Sequence, residues 1–145
     1  ARSMKPEHHE IVQKTLIEPL QRGMTMGEFL AKNGLGGSLS PNARSGAEKF
    51  IIDSKSKADS DILQKILITQ TQWDQGDNLD RVKVPTLLLR GADDMLVPLE
   101  AMQEIQNAIS GSQLEIVPDA GHNMHIEQPE KFNKLAIDFL LGLRG

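Results

Sequence analysis

Two short apolar runs near the C-terminal end, each followed within four residues by a glycine and then by polar residues, are the sequence feature that most limits the possible fold. The first run, residues 84–89, leads to Asp93 and Asp94, and the second, residues 114–117, leads to His122. Compact apolar runs of this length are typical of strands in a parallel sheet, where both faces are buried. We therefore expect two parallel strands with polar groups at their carboxyl ends.

Helical patterns surround these runs. Pro98 predicts the start of a helix that ends at Gly111, and Gln128-Pro129 predicts the start of a final helix. The apolar stripe of this final helix consists of Phe132, Leu135, Ala136, Phe139 and Leu140. Residues 81–145 are thus predicted to fold as strand, helix, strand and helix.

Residues 1–80 carry helical patterns without strand signals. A helix is expected to end or kink at Pro19, a second to end at Asn33-Gly34, and a third to start at Ser40-Pro41. A fourth is expected to be capped by Ser60 or Asp61. Its predicted inward-facing residues are Ile62, Leu63, Ile66, Leu67 and Trp73. The prediction is a helical region, residues 1–80, followed by an α/β region, residues 81–145.

Composition excludes several classes of function. The net charge of −4 and the scattered basic residues argue against nucleic-acid binding. Cysteine is absent, which excludes disulfides, thiolate metal sites and a cysteine nucleophile and suits a cytoplasmic protein. No apolar run approaches the roughly 18 residues that span a bilayer, so no membrane association is expected.

The acids that follow the first run and the histidine that follows the second are the residue types of a carboxylate–imidazole pair. Because the carboxyl ends of parallel strands share one edge of the sheet, the acids at 93 and 94 and His122 should meet. A carboxylate on one ring nitrogen fixes the tautomer of a histidine, and the other ring nitrogen can then accept a proton. The ordinary alternative is an aspartate that caps a turn beside a surface histidine.

The C-terminal motifs resemble those of the α/β-hydrolase fold family, specifically its esterase, enol-lactonase and cofactor-free haloperoxidase branch. The matching stretches are residues 84–94, 97–98, 118–122, 127–130 and 139–140. The resemblance selects Asp94, three residues after Gly91, as the triad acid and His122 as the base. It also identifies residues 7–74 as similar to a helical cap, with Trp73-Asp74 as its link to the sheet.

The nucleophile of that family is not recognisable. A Gly-x-Ser-x-Gly elbow after a strand is the expected form, and the nearest match, Ser38 in residues 36–40, lacks the second glycine and a preceding strand. Ser110 and Ser112 come after the acid, in the wrong order. We therefore expect the C-terminal part of a larger α/β hydrolase, namely the cap and the last two strands with their helices, completed by self-association, as in a dimer, or by an N-terminal companion chain.

The resemblance implies hydrolysis of a carboxylic ester or lactone, with no metal and no organic cofactor. Val97 and Met124, beside the acid and the histidine, are candidates for substrate binding. His8-His9 and the His122–His125 pair are weaker candidates for a metal site. Two alternatives stay open: a non-catalytic interaction or scaffold module that retains the relay residues, and haloperoxidase or carbon–carbon bond hydrolase chemistry on the same triad.

Overall fold

A computed structural model describes residue 10 and residues 12–35, 38–72 and 76–143, which form two compact units. One unit comprises residues 12–35 and 48–72, and the other comprises residues 38–47 and 77–143. The predicted division near residue 80 placed residues 38–47 with the helical region, whereas the structure groups them with the α/β unit. The reason is a set of hydrogen bonds between this segment and the loops that follow the strands.

The first unit is helical. A π-helical stretch, Gln13–Ile17, runs directly into α1 (Glu18–Gln21), and α2 (Met26–Asn33) follows. Helix α3 (Ala47–Ser56), which begins at the unit boundary, and α4 (Ser60–Gln72) complete it. The helix continues past Pro19 to Gln21, because the wider π-helical turn precedes the proline, which has no N–H to donate.

Local signals explain where α2 begins and ends. The Thr25 hydroxyl accepts a hydrogen bond from the Glu28 N–H (3.1 Å), and the Glu28 carboxylate accepts one from the Thr25 N–H (2.8 Å). This reciprocal cap lowers the pKa of Glu28, chiefly through the backbone hydrogen bond from Thr25. Gly34, with a φ of 71°, ends the helix where the sequence predicted.

Two other helix predictions are wrong in detail. Helix α3 begins at Ala47 rather than at Ser40-Pro41, because the Ser40 side chain bonds to groups outside a helix. The cap of α4 is Asp59, whose carboxylate accepts from the N–H groups of residues 61 and 62. Ile62 and Ile66 of α4 are exposed rather than inward-facing. Trp73 and Asp74 lie outside the described residues, as do His8 and His9.

The second unit contains a parallel pair of strands, β1 (Leu87–Gly91) and β2 (Gln113–Val117), in which Leu87 pairs with Gln113 and Gly91 with Val117. Helix α5 (Leu99–Ala108) connects them. Two helices follow β2, the short α6 (Met124–Glu127) and the long α7 (Pro129–Gly142). A 3-10 helix, Gly76–Arg81, precedes β1. The predicted strand, helix, strand and helix are therefore present, with α6 as an addition.

The core of this unit lies beside β2. Val117, Ala120 and Met124 are buried, and Leu89, Phe132 and Leu135 pack against them. The strands are only partly buried, contrary to the prediction of burial on both faces. Leu140, on the predicted stripe of α7, is 59% exposed. Among the described helices, none has the length and apolar character needed to cross a membrane.

Gly91 provides a test of how closely the two strand ends pack. A β-carbon at this position would overlap the carbonyl oxygens of Ala120 and Gly121, which are main-chain atoms that cannot rotate away. We expect Gly91→Ala to reduce the free energy of unfolding by about 1–3 kcal/mol, measured by urea denaturation. Gly142→Ala, where a β-carbon meets no atom within 4 Å, is the matched control and should be neutral or slightly stabilising. Equal urea midpoints for both variants would contradict this packing.

Candidate active site

The Asp94 carboxylate is the most constrained polar group at the carboxyl ends of the strands. Its side chain is 4% exposed. One oxygen, Oδ1, accepts hydrogen bonds from the N–H groups of Leu96 (2.8 Å) and Val97 (3.0 Å). The turn after β1 therefore wraps around this carboxylate and leaves its second oxygen, Oδ2, for another donor.

Arg90 holds the same turn from the outside. Its guanidinium group donates to the carbonyl oxygens of Gly91 (2.7 Å), Asp94 (2.7 Å) and Val97 (3.0 Å). Carbonyl oxygens before and after the acid are thus tied to one rigid planar group. The position of the Asp94 main chain is fixed independently of the contact that its side chain makes.

His122 reaches the same place from β2. The loop that carries it turns at Asp119, whose φ of 56° is left-handed, a conformation that aspartate tolerates better than most residues. The Asp93 N–H donates to the Ala120 carbonyl oxygen (2.9 Å), which ties the two strand-end loops together. The close approach at Gly91 brings the acid and the imidazole to the same edge of the sheet.

The structure brings Asp94 and His122 into hydrogen-bond distance, with 3.1 Å between Asp94 Oδ2 and His122 Nδ1. The imidazole is 44% exposed, in contrast to the buried carboxylate. Within the described part of the chain, Nε2 has no hydrogen-bond partner. A carboxylate on Nδ1 and an open Nε2 are the arrangement in which a histidine accepts a proton from a nucleophile.

Opposing effects act on the pKa of Asp94. Burial is the largest and raises the pKa, but the hydrogen bonds from the Val97 N–H, the His122 ring and the Leu96 N–H, with attraction to His122, together outweigh it. The pKa of Asp94 is therefore lowered, and the group stays ionised at neutral pH. An ionised Asp94 stabilises the imidazolium that forms when His122 accepts a proton.

The other predicted residues occupy different places. Val97 is half-buried, and its main chain contacts both Asp94 and Arg90. Met124 is buried in the core with Val117 and Ala120. A substrate contact by the side chain of Met124 or of Val97 stays a prediction.

Two of the weaker candidates, Ser38 and His125, also have defined positions in the structure. Ser38 is buried, and its carbonyl oxygen accepts from the His122 N–H (2.8 Å), while Gly36 and Gly37 lie outside the described residues. His125 packs its ring against Phe132, with 6.0 Å between the ring centroids. Among the described residues, no three histidine, aspartate or glutamate side chains are grouped as a metal site requires.

Glu127 is a residue of this site that no sequence pattern predicted. It is buried, and its carboxylate accepts from the N–H groups of Ser40 (2.7 Å), Gly121 (2.9 Å) and Asn123 (3.0 Å). Asn123 precedes α6, so one of these bonds does satisfy a helix start. The bond from Ser40 spans 87 residues of sequence, and no local pattern could have revealed it.

Comparison with known protein families identifies the α/β hydrolase fold, whose profile matches residues 17–129. Mouse monoacylglycerol lipase ABHD6 is 32% identical over 81 residues, which cover 56% of this chain and 24% of the lipase. Human serine hydrolase BPHL is 42% identical over 62 residues, covering 43% of this chain and 21% of that protein.

A solved structure resembles the whole chain. The thermophilic esterase from Thermogutta terrifontis superposes with a TM-score of 0.85 at 23% identity, over 100% of this chain and 54% of the esterase. At this identity the likeness concerns the fold. The chain spans about half the length of this structure, and its matches cover about a quarter of the two curated relatives.

The lowered pKa of Asp94 predicts how stability depends on pH. In the unfolded chain the carboxylate of Asp94 is protonated near pH 4, whereas in the folded chain it is protonated only at a lower pH. The contribution of Asp94 to the free energy of unfolding is therefore complete above about pH 4. This contribution is lost as the pH falls through the lowered pKa that Asp94 has in the folded protein. We expect Asp94→Asn to unfold more easily than wild type by about 1–3 kcal/mol near pH 7, because the neutral amide is a weaker acceptor.

Urea denaturation at a series of pH values from about 7 to about 2.5 measures both effects. The difference in unfolding free energy between wild type and Asp94→Asn should shrink as the pH falls below about 4. Asp80→Asn, at an exposed position, is the matched control and should follow wild type. A constant difference between wild type and Asp94→Asn at every pH would contradict the lowered pKa.

Proposed function

Because the chain belongs to the α/β hydrolase fold family, we propose that Asp94 and His122 are the acid and the base of a serine-dependent carboxylic ester or lactone hydrolase. The observation that carries the proposal is the 3.1 Å contact between Asp94 Oδ2 and His122 Nδ1, while Nε2 has no hydrogen-bond partner among the residues that the structure describes. The names of the two curated relatives, a monoacylglycerol lipase and a serine hydrolase, support the choice of a serine-dependent ester hydrolase.

The proposed reaction needs a serine on a strand-to-helix elbow, and these 145 residues hold no such motif. We propose that the serine is supplied by further polypeptide of the same fold. Its hydroxyl attacks the ester carbonyl carbon while His122 Nε2 accepts the hydroxyl proton. His122 then protonates the leaving alcohol, and a water molecule, deprotonated by the same nitrogen, releases the acid product.

In this mechanism Asp94 has two tasks. It accepts from Nδ1–H, so that the unprotonated nitrogen of the neutral ring faces the serine, and its negative charge stabilises the imidazolium. Leu96 and Val97 keep one oxygen of the carboxylate occupied, which leaves the other for His122. The side chain of Val97 is proposed to contact the acyl group, since it lies three residues from the acid.

Turnover of p-nitrophenyl acetate tests the proposal in two samples. The 145-residue chain alone should be inactive, whereas the chain joined to a polypeptide that carries the serine elbow should be active. His122→Ala should lower kcat of the joined protein by at least about a thousandfold. His125→Ala, which removes an exposed imidazole three residues away, is the control and should leave kcat unchanged. Unchanged activity in His122→Ala would refute the assignment of the base.

A second candidate function is favoured by exposed apolar surface. Ile137, Leu140 and Leu141 of α7 are each more than half exposed, and β1 and β2 pair only with each other among the described residues. Unpaired strand edges and exposed apolar side chains promote association between chains. We propose, as the alternative, a non-catalytic interaction module that binds a second copy of itself through α7.

Light scattering over a range of concentrations tests this alternative on the 145-residue chain. We expect a dimer whose dissociation constant increases at least about tenfold in Leu140→Gln, because a half-exposed leucine contributes about 1–2 kcal/mol when covered. Ile66→Gln removes an exposed apolar side chain from the helical unit and should not change the mass. A monomer at every concentration would exclude self-association.

A further inference from the structure

The carboxylate of Glu127 is buried deeper than that of Asp94, yet it takes no part in the proposed proton transfer. The residue is 1% exposed. Within the described ranges it accepts three hydrogen bonds, all from main-chain N–H groups, of Ser40, Gly121 and Asn123. A buried carboxylate without such donors would be strongly destabilising. The three N–H groups therefore form a binding environment for a negatively charged hydrogen-bond acceptor.

Two of these donors are the residues on either side of His122. The N–H group of His122 itself donates to the carbonyl oxygen of Ser38 (2.8 Å), which belongs to the same segment as Ser40. Three consecutive N–H groups, from residue 121 to residue 123, are therefore each held by an acceptor. Each N–H group of the main chain around the imidazole is thus held by a hydrogen bond.

The segment of residues 38–42 extends this arrangement to the acid. The Ser40 hydroxyl donates to the carboxylate of Asp93 (2.5 Å), the neighbour of Asp94. The side chain of Asn123 donates to the Ser38 carbonyl oxygen (3.3 Å). Glu127 and this segment together join the acid loop to the histidine loop.

The imidazole needs this support because its own environment provides little. The side chain of His122 is 44% exposed, so packing restricts its orientation only in part, and its 3.1 Å bond to Asp94 is long for a hydrogen bond to a charged acceptor. A small shift of the main chain at residues 121–123 would break that bond. We infer that Glu127 is a positioning residue: by holding the main chain on both sides of His122, it keeps Nδ1 on the carboxylate of Asp94.

The consequence of this role for catalysis rests on the proposed function, but the geometry is measured without turnover. In wild type, the bond to Asp94 requires the proton of the neutral ring to lie on Nδ1. Nitrogen NMR of the 145-residue protein reports which ring nitrogen of His122 carries the proton, and carboxyl-carbon NMR follows the titration of Asp94. A failed esterase assay would leave both measurements unaffected.

Glu127→Gln keeps the shape of the side chain but replaces an acceptor oxygen with an NH2 group that faces N–H donors. We expect His122 to lose most of its preference for the proton on Nδ1, and the pKa of Asp94 to increase toward its ordinary value. Glu130→Gln makes the same chemical change at an exposed position and should leave both readouts as in wild type. The methyl signals of Val117 and Met124 report whether the core is still folded.

Glu127→Asp is the second variant, and it decides the matter if Glu127→Gln does not fold. It keeps the charge but is one methylene shorter, so it cannot reach all three N–H groups, and we expect an intermediate loss of the Nδ1 preference. A folded variant of Glu127 in which both the tautomer of His122 and the pKa of Asp94 match wild type would overturn the inference. A loss of stability alone, with both readouts unchanged in the folded molecules, would show a structural role only.

Discussion

The main chain at Gly91 lies against the carbonyl groups of Ala120 and Gly121, and the geometry of the site depends on this approach. A side chain on residue 91 would separate the loop that follows β1 from the loop that follows β2. With glycine there, the Asp93 N–H reaches Ala120, and the carboxylate of the next residue reaches the imidazole. The absence of a side chain at Gly91 thus sets the distance between Asp94 and His122, whose side chains carry the proposed chemistry.

Two buried carboxylates serve the site, and each is stabilised by main-chain N–H groups. Asp94 shares its oxygens between two such groups and the imidazole, so its charge is available to the histidine. The hydrogen bonds that Glu127 accepts from the described residues come from the main chain, so its charge holds the polypeptide in place. The same chemical group therefore has an electrostatic task in one position and a mechanical task in the other.

The sequence was sufficient where the signals are local. The strands were recognised from apolar runs, α2 from its glycine stop, and the meeting of residues 94 and 122 from the rule that parallel strands end at one edge. The local signal at Ser40 was misleading: its hydroxyl accepts a hydrogen bond from the Asn42 N–H, as a helix cap would, but it also donates to the distant Asp93, and the helix begins only at Ala47.

The contact between residues 38–40 and the histidine loop uses the Ser38 carbonyl and the Ser40 amide, with the His122 amide on the other side. Every amino acid has a carbonyl, and all but proline have an amide hydrogen. Divergence can therefore alter residues 38 and 39 extensively without loss of this contact, whereas Gly121, whose β-carbon would lie 2.8 Å from the Ser38 carbonyl oxygen, cannot change so freely. We therefore expect an alignment of homologous chains to show conservation of Gly121 and Glu127, but not of the side chains in the 38–40 peptide that these residues contact.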